Sequence, residues 1–189
     1  MKVLGIAGSP RKNGNTQMLL GHVLKAVAEE GLETEMVSLA GLDIRPCNAC
    51  MSCTKEERCS IKDDLMPVYL KMKEADGLVL ASPVYFHTTA GLMKSFMERC
   101  GYIALWNNRP FNRKVGGPFV VARRAGHNTA LAEMSFWFQT MGLVVPGSTY
   151  LNLAFGRDKG EVEKDEEGMK TAWNFGKNLA WALAKLNAP

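Results

Sequence analysis

Short apolar runs alternate along this chain with amphipathic stretches, the pattern left by βα units wound around a parallel sheet. Val3-Leu4-Gly5-Ile6-Ala7 predicts a first strand over 2–8. From 15 to 31, Leu20, Val23, Leu24 and Val27 recur at helical spacing, and Gly31 marks a stop. A second strand is expected over 34–39, a helix capped by Asp63 or Asp64 running to about 75, and a Leu- and Val-rich third strand over 76–82. Helices over 90–103 and 127–141 flank a loop at 106–113 and a fourth strand at 114–122. A fifth strand is expected over 143–149. In the last helix, over 166–187, Trp173, Gly176, Leu179, Leu183 and Leu186 give the 3.6-residue period. This alternation predicts an α/β three-layer sandwich with a five-stranded parallel sheet and helices on both faces. No linker divides residues 1–189, so a single domain is expected. In such sheets ligands bind beyond the carboxyl ends of the strands, where the winding reverses.

Strand one ends at Gly8, and Ser9-Pro10-Arg11-Lys12-Asn13-Gly14-Asn15-Thr16 leads straight into the first helix. A loop entering a helix start offers free backbone N–H groups and the positive end of the helix dipole. Gly8 and Gly14 allow close backbone approach, Ser9 and Thr16 add hydroxyls, and Arg11 adds charge. There is no G-x-G-x-x-G and no closing Gly-Lys-Ser/Thr, which excludes the dinucleotide and nucleoside-triphosphate loops. An anion site is the functional reading, and a simple Gly/Asn helix cap is the bland one.

Composition narrows the classes. A net charge of +4 with scattered basic residues gives no stripe for nucleic acid. No segment approaches the length of a membrane span, and the apolar N-terminal run meets a Gly/Pro/Arg loop too soon to be a signal peptide. A cytoplasmic protein is expected. In a reducing compartment the local group Cys47-x2-Cys50-x2-Cys53-x5-Cys59, inside an irregular insertion at 41–62, points to metal or redox chemistry rather than a disulfide. Three thiols at two-residue gaps and a fourth on a return suit a [4Fe–4S] cluster, and the spacing resembles that of bacterial ferredoxins. Zinc, redox-active thiols and inert thiols remain open readings. Cys100 stands apart as a small core residue.

The run G-S-P-R-x-x-G-N-T at Gly8–Thr16 resembles the FMN phosphate loop of the NADPH-dependent FMN reductase and iron–sulfur flavoprotein families. A second stretch agrees: Ser82-Pro83-Val84-Tyr85-Phe86, then Gly91-Leu92-Met93-Lys94 and Phe96-Met97-Glu98-Arg99, with Glu98 where Asp is usual. The resemblance implies a flavodoxin-like fold with strand order 2-1-3-4-5. It implies that FMN is held by Ser9, Arg11, Gly14, Asn15 and Thr16 at the phosphate, and by Pro83, Val84, Tyr85 and Phe86 at the ring. By position in that fold, the loop after strand four, with Arg123 and Gly126, also reaches the pocket, and Arg124 is equally a solvated residue. His87 lies next to the ring loop without a clear catalytic role. Cys47, Cys50, Cys53 and Cys59 become candidate ligands of one [4Fe–4S] cluster.

The function expected from these parts is an oxidoreductase in which the flavin carries the chemistry. It would relay electrons from reduced ferredoxin or NAD(P)H to an acceptor such as oxygen, peroxide or a quinone. An FMN or quinone reductase without a cluster is the second reading, and a non-enzymatic carrier or thiol sensor the third. The resemblance also implies a homodimer or homotetramer. Met134, Phe136, Trp137, Phe138 and Met141, with Trp106, are candidate interface residues, with core packing as the alternative.

Overall fold

A computed structural model of the chain describes residues 1–187. β1 (Lys2–Ala7) is buried from Val3 onward, as a strand covered on both faces must be, which is why its sequence is an unbroken apolar run. It lies between β2 (Glu33–Ser38) and β3 (Gly77–Tyr85), parallel to both. β3 continues past the sheet into a hairpin with β4 (Thr88–Thr89). Its other edge pairs in parallel with β5 (Val115–Ala122), and β5 pairs with β6 (Leu153–Phe155). With the β4 arm set apart, the order β2-β1-β3-β5-β6 is the expected 2-1-3-4-5.

Helices α1 (Asn15–Glu29) and α5 (Glu166–Leu186) cover one face of the sheet. α2 (Leu65–Glu74), α3 (Gly91–Trp106) and α4 (His127–Met141) cover the other. Winding runs outward from β1 to β2, then reverses through β3 toward β6. The loops after β1 and β3 therefore flank the reversal point, where a crevice opens. Among the described residues, no helix is long and apolar enough to cross a membrane.

The edge strand differs from expectation. Over 143–149 only Val144 bridges Val115, and pairing with β5 resumes at Leu153–Phe155. Pro118 accounts for the gap. The N–H groups of Gly116 and Val120 donate to Val144 (2.9 Å) and Asn152 (3.1 Å) on the edge side of β5. Residue 118 faces the same way in the alternation, but proline has no N–H to give. Pro146 and Gly147 then let the chain swing out before it returns.

Two groups of candidate interface residues also separate. Met134, Phe138 and Met141 are core residues, at most 3% exposed, so they are not available to a partner. Trp137 is half-buried and its indole N–H donates to the Met97 carbonyl at 2.9 Å. Phe136 and Trp106 remain on the surface, 64% and 56% exposed.

Candidate cofactor cleft and cysteine site

The crevice is a cleft of about 440 Å³, within the size range of small-molecule sites. Ser9, Arg11, Gly14, Asn15 and Thr16 line it from the β1–α1 loop. Pro83, Val84 and Tyr85 come from the end of β3, and Arg123 from the end of β5. Sequence reasoning missed Lys12 as a lining residue, together with Val121 and with Gly156, Arg157 and Lys159 in the turn after β6. That turn carried no motif; it reaches the cleft because β6 ends beside β5.

Charge and backbone both suit an anion. Arg11, Lys12, Arg123, Arg157 and Lys159 line the cleft, and among the described residues no carboxylate does. α1 begins after Gly14 with no side-chain cap and no acidic residue in its first turn, so its dipole end is left for a ligand. α5 shows the contrast: Asp165 caps it by accepting from the Gly168 N–H, and Glu166 and Glu167 follow. The buried Ser9 hydroxyl accepts the Arg11 N–H at 3.1 Å, which folds the loop back on itself. Pro83, Val84, Val121 and Tyr85 supply the apolar part of the wall. The residues present therefore fit FMN: a phosphate end of helix N–H groups and cations, and a slot with apolar sides for the ring.

Asn15 takes a second role, and two other expected contacts lie outside the lining. The Asn15 carboxamide is committed to the far turn: its Nδ2 donates to the Asp158 carbonyl and its Oδ1 accepts the Gly160 N–H, both at 2.8 Å. Asn15 thus braces the wall carrying Arg157 and Lys159 as well as lining the cleft. Phe86 lies outside the lining; it is fully exposed at the tip of the β3–β4 hairpin, where Phe86 and His87 both adopt positive φ (47° and 67°). Gly126 also lies outside it. Its φ is 84°, and a Cβ there would stand 2.8 Å from the His87 Cα, so this glycine lets the hairpin tip approach the β5–α4 loop. Glu133 of α4 anchors the same hairpin, accepting from the Thr88 and Thr89 hydroxyls (2.5 and 3.0 Å) and from the Thr89 N–H at 3.1 Å.

The 41–62 insertion wraps over α2 and α3. Cys47, Cys50, Cys53 and Cys59 line one narrow cavity together with Arg99, Tyr102 and Ile103 of α3. All four are free thiols; Cys47 and Cys50 are exposed, while Cys53 and Cys59 pack partly against the core. Hydrogen bonds with the Ser52 (3.4 Å) and Ser60 (3.0 Å) hydroxyls lower the Cys50 thiol to about 7. Burial pushes the Cys53 thiol the other way. Among the described residues, no three His, Cys, Asp or Glu side chains converge closely enough to hold a single metal ion.

The backing of this loop is built from side chains outside the thiol set. The Asn107 carboxamide donates to the Cys53 carbonyl at 2.8 Å, and Glu57 accepts from Tyr69 (2.9 Å) and Lys73 (2.8 Å) of α2. Asp63, whose side chain is fully buried, pairs with Arg99 and accepts the Leu65 and Arg45 N–H groups. Burial raises its pKa, but these donors outweigh that and hold it below the usual carboxylate range. Soft thiols around one cavity on a preformed support fit an iron–sulfur cluster.

A parallel sheet with a cation-lined cleft at its reversal point and a loop that carries four thiols defines a flavodoxin-like α/β protein. The chain belongs to the NADPH-dependent FMN reductase family, whose sequence pattern matches residues 1–158. It is thus an oxidoreductase and an FMN-binding flavoprotein. It is 38% identical to an iron–sulfur flavoprotein of Methanocaldococcus jannaschii, over 95% of this chain and 96% of that one. It is 32% identical to an iron–sulfur flavoprotein of Methanosarcina thermophila, over 97% and 95% of the two chains. Among solved structures, RosB superposes with a TM-score of 0.78 at 19% identity, covering 98% of this chain and 80% of its own. A WrbA-like flavodoxin of Agrobacterium tumefaciens gives 0.70 at 13%, over 97% and 98%. At such low identities these two structures establish the fold alone.

Proposed function

We propose that this protein is an iron–sulfur flavoprotein that passes electrons between a reduced donor, ferredoxin or NAD(P)H, and a separate acceptor, using FMN and one [4Fe–4S] cluster. The observation that carries the reading is the set of four free thiols lining a single cavity on a braced loop, in a chain whose fold holds FMN. The names of the curated relatives support it. When bound, FMN supplies two-electron chemistry with single-electron release, and the cluster supplies one-electron steps.

The chain's own residues divide the remaining work. The start of α1, with Ser9, Thr16, Arg11 and Arg123, would hold the phosphate, and Pro83, Val84 and Tyr85 would flank the ring. Cys47, Cys50, Cys53 and Cys59 would ligate the cluster. A cubane spreads its iron over four corners, so its thiolates stand further apart than the ligands of one zinc ion. The four thiols share one cavity. Exposure of Cys47 and Cys50 leaves one side open to an electron-transfer partner.

Anaerobic purification with iron, sulfide and flavin analysis tests the reading. Four irons, four sulfides and one FMN per chain are expected, with a broad visible shoulder beneath the flavin bands. Flavin without iron or sulfide would overturn it and leave an FMN or quinone reductase without a cluster.

A further inference from the structure

Arg99, in mid-α3, is only 1% exposed and is the bulkiest of the fully buried side chains. A buried cation persists only when it is paired and hydrogen-bonded. The fork of its guanidinium meets Asp63, with Nη2 donating to Oδ1 at 3.0 Å, and Nη1 also donates to the Arg45 carbonyl at 2.9 Å. These contacts clamp both ends of the cysteine loop to α3. They leave the Nε–H buried and, among the described residues, without an acceptor. Native proteins seldom bury a strong donor unused. The same side chain lines the cavity of the four cysteines, Cys59 among them.

We infer that Arg99 is a positioning residue for the cluster: Asp63 holds its guanidinium, and its free Nε–H donates to sulfur of the cluster in the cysteine cavity. The inference rests on the cluster reading of the four cysteines. A plain structural clamp explains the pairing with Asp63 and Arg45, but not an orphaned donor on a side chain that lines the thiol cavity. Arginine suits the task where lysine does not, because a planar fork can occupy a carboxylate with two nitrogens and keep a third donor rigidly aimed. Hydrogen bonds to the sulfurs of a cluster favour its more negative, reduced form and raise its potential.

The test uses anaerobically prepared full-length protein as wild type, R99K, and the double variant R99M with Asp63→Asn. Removing both charges together leaves no stranded carboxylate and no change in local net charge, so the remaining effect reports the N–H to sulfur bond. The double variant is expected to retain FMN at wild-type stoichiometry. In a redox titration followed by electron paramagnetic resonance, its cluster is expected to be at least tenfold harder to reduce, about 59 mV lower for one electron. R99K, with a donor that cannot serve Asp63 and the sulfur at once, is expected to fall between. Should the double variant assemble no cluster, the midpoint of R99K decides: a lowered value supports the inference and a wild-type value overturns it. Wild-type midpoints in both variants would overturn it while leaving the cluster reading intact. Wild-type protein without iron and sulfide overturns both.

Discussion

At the scale of single residues, the cleft-lining loop after β1 is legible because backbone chemistry restricts which residues can open a helix start to an anion. Gly8, Gly14 and the hydroxyls of Ser9 and Thr16 follow one another in the chain, so their spacing alone suggested an anion site. Asn15 was read less fully, since its partners lie more than 140 positions away. Its two hydrogen bonds place the turn bearing Arg157 and Lys159. Asn15→Ala is expected to weaken FMN binding about tenfold, or roughly 1.4 kcal/mol, with little loss of global stability. Fluorescence titration of apoprotein with FMN checks this, and an unchanged affinity would mean that the turn holds its place unaided. Glu133 escaped sequence reasoning altogether, as one carboxylate among many on a helix. Burial raises its pKa, but the donors from Thr88, Lys94 and Thr89 overcome that and bring it to about 2. A depressed carboxylate stabilises the fold fully above its ordinary pKa near 4.5, and the contribution disappears as pH falls toward 2. With its side chain 21% exposed, Glu133 is expected to contribute about 2–3 kcal/mol. Denaturant unfolding of Glu133→Gln should show that deficit at pH 7, and the gap from wild type should narrow between about pH 5 and 2.

At the scale of elements, periodicity located all five long helices and four of the five parallel strands. Those segments are long and bury a face, so the demands of burial are written directly into their apolar spacing. The fifth strand failed for a reason visible in its neighbour. Pro118 removes a donor from the edge side of β5, and the sheet resumes with only Leu153–Phe155, too short to leave a pattern. A proline inside a strand therefore says as much about the next strand as about its own. Packing between helices was not readable from one face at a time. Gly176 looked like an ordinary member of the α5 stripe, yet a Cβ there would meet the Val23 carbonyl oxygen of α1 at 2.6 Å and the Ala26 Cβ at 2.8 Å. Gly176→Ala sets two effects against each other. Helix propensity gains about 1 kcal/mol, while forcing α1 and α5 apart costs about 1–3 kcal/mol or more because the obstacle includes backbone. The clash is expected to win, giving a net loss of about 1–2 kcal/mol in chemical denaturation. A stabilised variant would show that the two helices separate without cost.

At the scale of the whole molecule, the cysteine loop is held by contacts that do not depend on its thiols. Arg99 with Asp63, Glu57 with Tyr69 and Lys73, and Asn107 with the Cys53 carbonyl all tie the insertion to α2 and α3. Small metal-organised loops behave otherwise, because ligand binding supplies their folding free energy. Here α2 and α3 are already fixed by the sheet, and the loop inherits its shape from them. The proposed cluster should therefore be removable without unfolding the protein. After anaerobic chelation of iron, the melting temperature is expected to fall by no more than about 4 °C, corresponding to about 1 kcal/mol in a domain of this size. FMN should stay bound, since its cleft shares no lining residue with the cysteine cavity. Differential scanning calorimetry of loaded and iron-depleted protein, each with its flavin content measured, makes the comparison. A fall of 10 °C or more, or loss of flavin along with iron, would mean that the cluster itself holds the loop and that the two sites fold as one unit. Independence is the arrangement an electron relay favours. One centre can change its charge by a full unit without loosening the protein around the other.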